Sequence, residues 1–267
     1  MTLVQHTDSQ VRFDQQVENS AAYVIPFIEE TFPLTATMRV MEIGCGEGGV
    51  LKPLLDRGLS CVGVDLVPER IALAGQYLSE FVSRGKLRLI ARDIYDLDFL
   101  GEFRGYFDLI ILKDAIEHIP DQARIIGYLK ELLNPGGQVF FGFPPWYMPH
   151  GGHQQICQSR VLSMWPYVHL LPKSVYRALI RAFREDPSTL QELMEVRSTG
   201  ISIERFERIL KQQGYTISGK RHYLINPIYQ VKFHLKPRRQ LKLISGVPYI
   251  RDLLTTCVYY LVKPGPD

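Results

Sequence analysis

The chain has 267 residues, 46% of them hydrophobic and 22% charged, a balance that fits a globular protein with one large domain and room for an insertion. The net charge of +3 is mild and argues against a nucleic-acid partner, which leaves a clustered basic face. No stretch supplies the roughly 20 apolar residues of a membrane span.

In chain order, the opening run MTLVQHTDSQVRFDQQ is polar and lacks the apolar centre of a signal peptide, so a cytoplasmic protein is expected. Val17, Ala21, Val24, Ile25 and Ile28 then recur at helical spacing within residues 11–31, with Asp8 or Ser9 as a cap and Pro26 as a kink or break. Met38–Ile43 reads as a short buried strand running into GCGEGG. A helix over 50–57 follows, stopped by Gly58, then a strand over 60–64 ending at Asp65. The pattern repeats as a helix over 69–83, a strand over 87–91 ending at Asp93, a strand over 107–112 ending at Lys113-Asp114, a helix over 122–133 and a strand over 138–143. This alternation predicts an α/β fold: a doubly wound, Rossmann-like, mostly parallel seven-stranded sheet with helices on both faces.

After Pro145 the rhythm breaks. Residues 146–200 hold both tryptophans and a helical pattern over 174–184, and are read as a cap inserted into a single domain spanning 1–267. In that division residues 1–37 form a helical cover, 38–145 a cofactor-binding core, and 201–267 the rest of the sheet: a helix over 202–213 and strands over 215–225 and 255–262. Residues 226–250 form a second insertion, basic and aromatic. Cys45, Cys61, Cys157 and Cys257 form no Cys-x-x-Cys pair, so no metal site or disulfide framework is suggested, and free thiols in a reducing compartment are expected. Oligomeric state is not legible.

Gly44, Gly46, Gly48 and Gly49 sit between a strand and a helix, where a nucleotide-like ligand can touch the backbone at the carboxyl edge of the sheet. Gly44, Gly46 and Gly49 also satisfy GxGxxG, the dinucleotide pattern, which keeps an NAD(P)-dependent oxidoreductase open. Charge weighs between the two. Glu42 and Glu47 flank the turn, and carboxylates oppose a pyrophosphate but suit the cationic end of S-adenosylmethionine. Asp65, at a strand's end roughly 20 residues on, is placed to accept ribose hydroxyls with either cofactor. Asp93 can accept from an adenine amino group while Ile94 packs on the ring.

The run VMEIGCGEGG, VGVDL, ARDIYDL, FDLIILKDAIEHIP, LNPGGQVFFGFP resembles class I S-adenosylmethionine-dependent methyltransferases, most closely the small-molecule group that includes the ubiquinone-biosynthesis type. The resemblance covers roughly residues 38–145. It implies that Glu42, Gly44, Cys45 and Gly46 line the methionine end of the cofactor, Asp65 and Leu66 the ribose and adenine edge, and Asp93 and Ile94 the adenine. Lys113 falls where the family meets the methionine moiety and the acceptor, and a lysine there is a departure from the small or polar residue of many relatives. Glu117 and His118 match a pair that is mostly structural.

The implied reaction is methyl transfer to a small-molecule O, N or C nucleophile; a non-catalytic cofactor-binding scaffold is the third alternative. His153, or else His150, is the candidate base, with a loop-holding role as the other reading. Trp146, Tyr147 and His150 are candidate acceptor contacts, and Trp146 with Tyr147 could equally pack the cap on the sheet. Lys232, Lys236, Arg238, Arg239 and Lys242, interleaved with Phe233 and Leu235, read either as a solvated lid or hairpin or as a contact for an anionic or membrane-associated acceptor.

Overall fold

Runs of β-branched and aromatic residues that are apolar on both faces need cover on both sides, and the strands of this protein meet that need in one sheet. The computed structural model describes residues 8–265. Residues 1–7, where the polar N-terminal run begins, and 266–267 lie outside the described residues. The N-terminal helix α1 (Ser9–Asn19) passes through a wide π-helical turn, Ser20–Val24, into α2 (Ile25–Glu29). Asp8 caps α1, accepting from the backbone N–H of Gln10 and Val11. Pro26 was expected to kink or split this helix. The π turn instead absorbs it, widening the backbone just ahead of the residue that has no N–H to donate.

The core then alternates: β1 (Arg39–Ile43), α3 (Lys52–Asp56), β2 (Ser60–Asp65), α4 (Pro68–Tyr77), α5 (Ser79–Ser83), β3 (Leu87–Ala91), α6 (Leu97–Phe103), β4 (Phe107–Lys113), α7 (Gln122–Leu132) and β5 (Leu133–Phe143). The cap contributes α8 (Arg160–Met164), α9 (Lys173–Ala182) and α10 (Pro187–Thr199). The chain returns through α11 (Ile203–Gln212) and β6 (Tyr215–Ile225), then α12 (Ile228–Phe233), β7 (Arg238–Arg239), α13 (Lys242–Ser245), α14 (Ile250–Leu253) and β8 (Cys257–Pro264). No helix among the described residues is long and apolar enough to cross a membrane.

The strand order is β3-β2-β1-β4-β5-β8-β6-β7. Strands β3 to β5 pair in parallel, while β8 runs antiparallel to both β5 and β6. The eighth strand, absent from the expected seven, is the two-residue β7 within the basic insertion. Strand β5 also starts earlier than expected: Leu133 pairs with Phe107 before a register shift, so the Asn-Pro-Gly-Gly run is a bulge inside the strand. Side chains alternate between two cores. Met41, Ile43, Ile110, Leu112, Phe141 and Tyr260 face α7 and α11, whereas Val40, Leu109, Ile111, Phe140 and Tyr259 face α1 and α2. The strand order reverses between β1 and β4, so their carboxyl ends splay into a crevice.

The cap has a core of its own, built from Cys157, Leu162, Val168, Tyr176, Ile180 and Leu193. Trp146 fastens it to the sheet. The indole stands edge-to-face on His169 at 4.7 Å and covers Gly200, where a Cβ would lie 2.2 Å from the ring. The backbone N–H of Trp146 donates to Ile201 O at 2.9 Å.

A buried charge network pins the second insertion to α11. Arg251 donates to Glu204 at 3.0 Å and to Glu207 at 2.8 Å. The neighbouring Asp252 is fully buried, and burial beside Glu204 pushes its carboxyl up to about 7. A folded-state value above the unfolded one, near 3.9, means this group's contribution is complete below pH 4 and is lost as pH rises through 7. Asp252→Asn removes that loss. Urea unfolding should therefore show little difference from the parent at pH 4 to 5, and a relative gain for the variant of roughly 1–3 kcal/mol by pH 8.

Helix α1 also bears directly on the glycine turn. A Cβ on Gly49 would lie 2.6 Å from Phe13 O and from Gln16 Cβ. Gly49→Ala should cost about 1–3 kcal/mol in urea unfolding by pushing α1 away. Gly101→Ala, in helix α6 with nothing near the added carbon, should be neutral or stabilise by up to ~1 kcal/mol.

Candidate functional site

The turn after β1 is stapled to the end of β2. The N–H groups of Gly44 and Cys45 both donate to Val64 O, at 2.8 and 3.0 Å, and Gly46 N donates to Asp65 Oδ2 at 2.9 Å. Gly46 takes φ +52° to do so, a conformation that L side chains rarely adopt. Asp65 Oδ1 accepts from Val67 N at 2.9 Å. Each carboxylate oxygen keeps acceptor capacity for a hydroxyl donor.

Two cavities meet over this turn. The larger, about 360 Å³, is lined by Asp65, Leu66, Asp93, Ile94, Tyr95 and His118, with Val64, Ala115 and Ile125 among its apolar walls. The smaller, about 120 Å³, is lined by Glu42, Cys45, Gly46, Glu47, Lys113, Arg12 and Phe13. Gly44, Arg70 and Asp114 line both. All nine residues expected to hold a cofactor (Glu42, Gly44, Cys45, Gly46, Asp65, Leu66, Asp93, Ile94 and Lys113) thus border one continuous crevice. The larger cavity is predominantly apolar with a few carboxylates, as adenosine-sized pockets are.

Charge in the smaller cavity is already partly spoken for. Glu47 pairs with Arg12 from α1. Lys113 is buried and pairs with the adjacent Asp114; burial pulls its ammonium down, but Asp114 and other acids outweigh this and the net shift is upward. Glu42 is 2% exposed and its Oε2 has no hydrogen-bond partner. Burial pushes its carboxyl well up, against a smaller downward pull from Lys113. A buried carboxylate with an open oxygen at a cavity wall is matched by a cationic donor and opposed by a phosphate.

The other expected residues lie elsewhere. Tyr147 and His150 line neither cavity; His150 Nδ1 sits 3.2 Å from Gln154 Nε2, and burial lowers its imidazole. Trp146 is held in the joint between cap and sheet, against His169 and Gly200. His153 also lines neither cavity, but its ring stands edge-to-face on His118 at 5.0 Å. Glu117, His118 and His153 bring donor atoms within 4.8 Å of one another, a grouping of possible metal ligands that cysteine spacing did not signal. His118, read from sequence as structural, is the histidine in the cavity wall. Desolvation lowers its imidazole against the pull of Asp114, favouring the neutral ring near pH 7. Asp114, Arg70 and Arg12 were also missed, although Asp114 immediately follows the strand-end Lys113. It occupies the left-handed region at φ +52°.

The second insertion packs against the N-terminal helices. Tyr23 from the π turn donates to Gln230 on α12. Lys232, on the same helix, is desolvated and feels both Asp114 and Lys113.

A family model described as a methyltransferase domain matches residues 13–217. The ubiquinone biosynthesis O-methyltransferase of Leptothrix cholodnii is 29% identical over 114 residues, which is 43% of this chain and 47% of the relative. That of Xylella fastidiosa strain 9a5c is 33% identical over 116 residues, 43% of this chain and 45% of the relative. In these alignments the chain spans just under half the length of the curated relatives it matches. Among solved structures, the geranyl diphosphate C-methyltransferase of Streptomyces coelicolor A3(2), crystallised with Mg2+, geranyl diphosphate and S-adenosyl-L-homocysteine, superposes with a TM-score of 0.57 at 13% identity, covering 91% of this chain and 80% of that one. The Haemonchus contortus phosphoethanolamine N-methyltransferase 2, in complex with S-adenosyl-L-methionine, gives 0.58 at 16% identity, covering 98% and 58%. At such identities the structural likeness is one of fold. The family match runs from α1 across the glycine turn, Asp65, Asp93 and the cap into β6, the elements that build and surround the crevice, and by it the chain belongs to the methyltransferase domain family.

Proposed function

We propose that the protein binds S-adenosylmethionine along the crevice and transfers its methyl group to a small-molecule O, N or C nucleophile. The observation that carries this reading is Glu42. Its buried carboxyl with an unpartnered oxygen suits an ammonium group, which would favour the ionised form, whereas a dinucleotide would bring its pyrophosphate against that acid. The ubiquinone biosynthesis relatives support it. Asp65 would accept the ribose hydroxyls, Asp93 the adenine amino group, and Ile94 and Leu66 would flank the ring. The mild net charge supports a small-molecule acceptor over nucleic acid, and we place the enzyme in the cytoplasm.

When bound, the cofactor supplies a methyl already activated by its sulfonium. The chain's contribution is then chiefly positioning, which is worth several kcal/mol when the nucleophile is held on the methyl axis. Gly44, Arg70 and Asp114 form the wall where the two cavities join, with Lys113 beside Asp114 on the smaller side. Where the acceptor carries a proton, His118 is the group that would take it, because it lines the cavity and is kept neutral. His153, standing against His118, is then a positioning residue.

Thermal unfolding separates this reading from a nicotinamide enzyme. S-Adenosylhomocysteine at 100 times its dissociation constant should stabilise the protein by about 2.7 kcal/mol, and NADPH should not; the reverse result sinks the proposal. Glu42→Gln should weaken cofactor binding by roughly 10- to 100-fold while leaving the ligand-free protein as stable or more so, since burial opposes ionisation of this carboxyl and the amide never ionises.

The role of His118 is read from turnover, with release of S-adenosylhomocysteine revealing a competent acceptor. His118→Gln should lower kcat about 10²- to 10⁴-fold with unchanged cofactor affinity and should abolish the acidic limb of the pH profile. His153→Gln should cause a smaller loss. No turnover with any acceptor, despite tight cofactor binding, would favour a non-catalytic scaffold.

A further inference from the structure

Strand β6 ends at Ile225 and β8 begins at Cys257, and their pairing places both at the carboxyl end of β5, where Phe143 lies opposite Val258. The whole insertion between them therefore rises from the sheet edge that carries the crevice. Its first helix, α12, turns inward, with Lys232 desolvated near Asp114. Its second half turns outward. Leu241 is 64% exposed, Leu243 83%, Tyr249 66% and Ile250 51%. Four large apolar side chains within ten residues, carried by two four-residue helices and the turn between them, cannot be explained as core.

The charges around them have one sign. Lys236, Arg238, Arg239 and Lys242 are the neighbouring charges on this segment, and none forms an ion pair among the described residues. The single acid between 226 and 256 is Asp252, which is fully buried. The presentation is also rigid. Tyr249 is held at φ +65°, with its N–H bonded to Glu204 at 2.8 Å, and Arg251 is clamped between Glu204 and Glu207. A backbone held in so sparsely populated a region is one that its surroundings over-determine.

We propose that this face, from Lys236 to Ile250, docks the protein peripherally on an anionic lipid bilayer, with Leu241, Leu243, Tyr249 and Ile250 entering the interface and Lys236, Arg238, Arg239 and Lys242 meeting the headgroups. Apolar insertion beside uncompensated cations is the combination a bilayer surface satisfies. A second copy of the chain fits poorly, because a two-fold contact sets the patch against itself and like charges face each other. The inference does not rest on the methyl-transfer reading.

The test is flotation of the full chain with phosphatidylcholine vesicles and with equimolar phosphatidylcholine and phosphatidylglycerol vesicles. Binding is expected to the anionic vesicles, to fall several-fold when salt is raised from about 0.1 M to about 0.5 M, and to be weak without phosphatidylglycerol. The double substitution Leu241→Glu with Leu243→Glu should reduce partition at least tenfold with unchanged thermal unfolding, since both side chains are exposed. Arg238→Gln with Arg239→Gln should reduce the preference for anionic vesicles. Absence of flotation with phosphatidylglycerol, or flotation unaffected by the leucine substitutions, overturns the proposal. So does a concentration-dependent dimer in light scattering that those substitutions abolish, which would make the face a contact between copies of the chain.

Discussion

The hydrogen bond from Gly46 N to the Asp65 carboxylate, 2.9 Å long, ties the first two strands together at the point where a ligand must lie. The glycine turn cannot hold its shape alone, because glycine visits positive and negative φ with similar ease and loses more freedom than any other residue when Gly44, Gly46 and Gly48 are fixed at positive φ. Val64 O and Asp65 provide that fixing from β2, and α1 presses from the other side at Gly49, where no Cβ fits. The same aspartate that organises the turn is placed to read a ribose, so turn geometry and ligand recognition are coupled through one side chain.

Electrostatics around the turn follow from what is left after the pairings are made. Arg12 occupies Glu47, and Asp114 occupies Lys113. Glu42 is the acid that burial isolates at the turn and whose Oε2 no group among the described residues satisfies. A buried polar group left open costs stability, and a binding site can use that cost, since a cationic ligand arriving there supplies the missing partner and favours the ionised form. The acidic character of the turn, evident in sequence as Glu42 and Glu47 together, thus resolves into two roles. Glu47 ties α1 to the turn through Arg12, and Glu42 is left open at the wall of the smaller cavity.

Much of the core was legible because its signals are local. Apolar runs of five to seven residues ending in Gly, Asp or Lys-Asp marked the parallel strands, and the acids at their ends marked the crevice. Contacts that depend on how distant segments pack were not legible. Arg12 is 35 residues from Glu47 in the chain, and no spacing rule links them. The Glu117-His118 pair looks like a helix opening, yet the cavity passes on the His118 side. Trp146 follows the fifth strand directly and so resembled a wall of the acceptor site; the bulk of its ring is instead taken up by His169 and Gly200. The short strand β7 is a tertiary pairing of Arg238–Arg239 with β6, in a segment whose composition left a lid, a hairpin and a contact for an anionic acceptor all open.

The cap and the basic second insertion were both expected to bear on the acceptor, and they approach the crevice from different sides. The cap reaches the larger cavity through His153 against His118. The second insertion packs α12 against α1 and brings the desolvated Lys232 within electrostatic reach of Asp114 and Lys113. The junction of the cavities is where a methyl group would sit if the ammonium end of the cofactor meets Glu42 and its ribose meets Asp65. A nucleophile approaching it must pass between the α12 side and the His118 side. Acceptor choice is then a property of the gap between two inserted segments, neither of which carries the cofactor motifs.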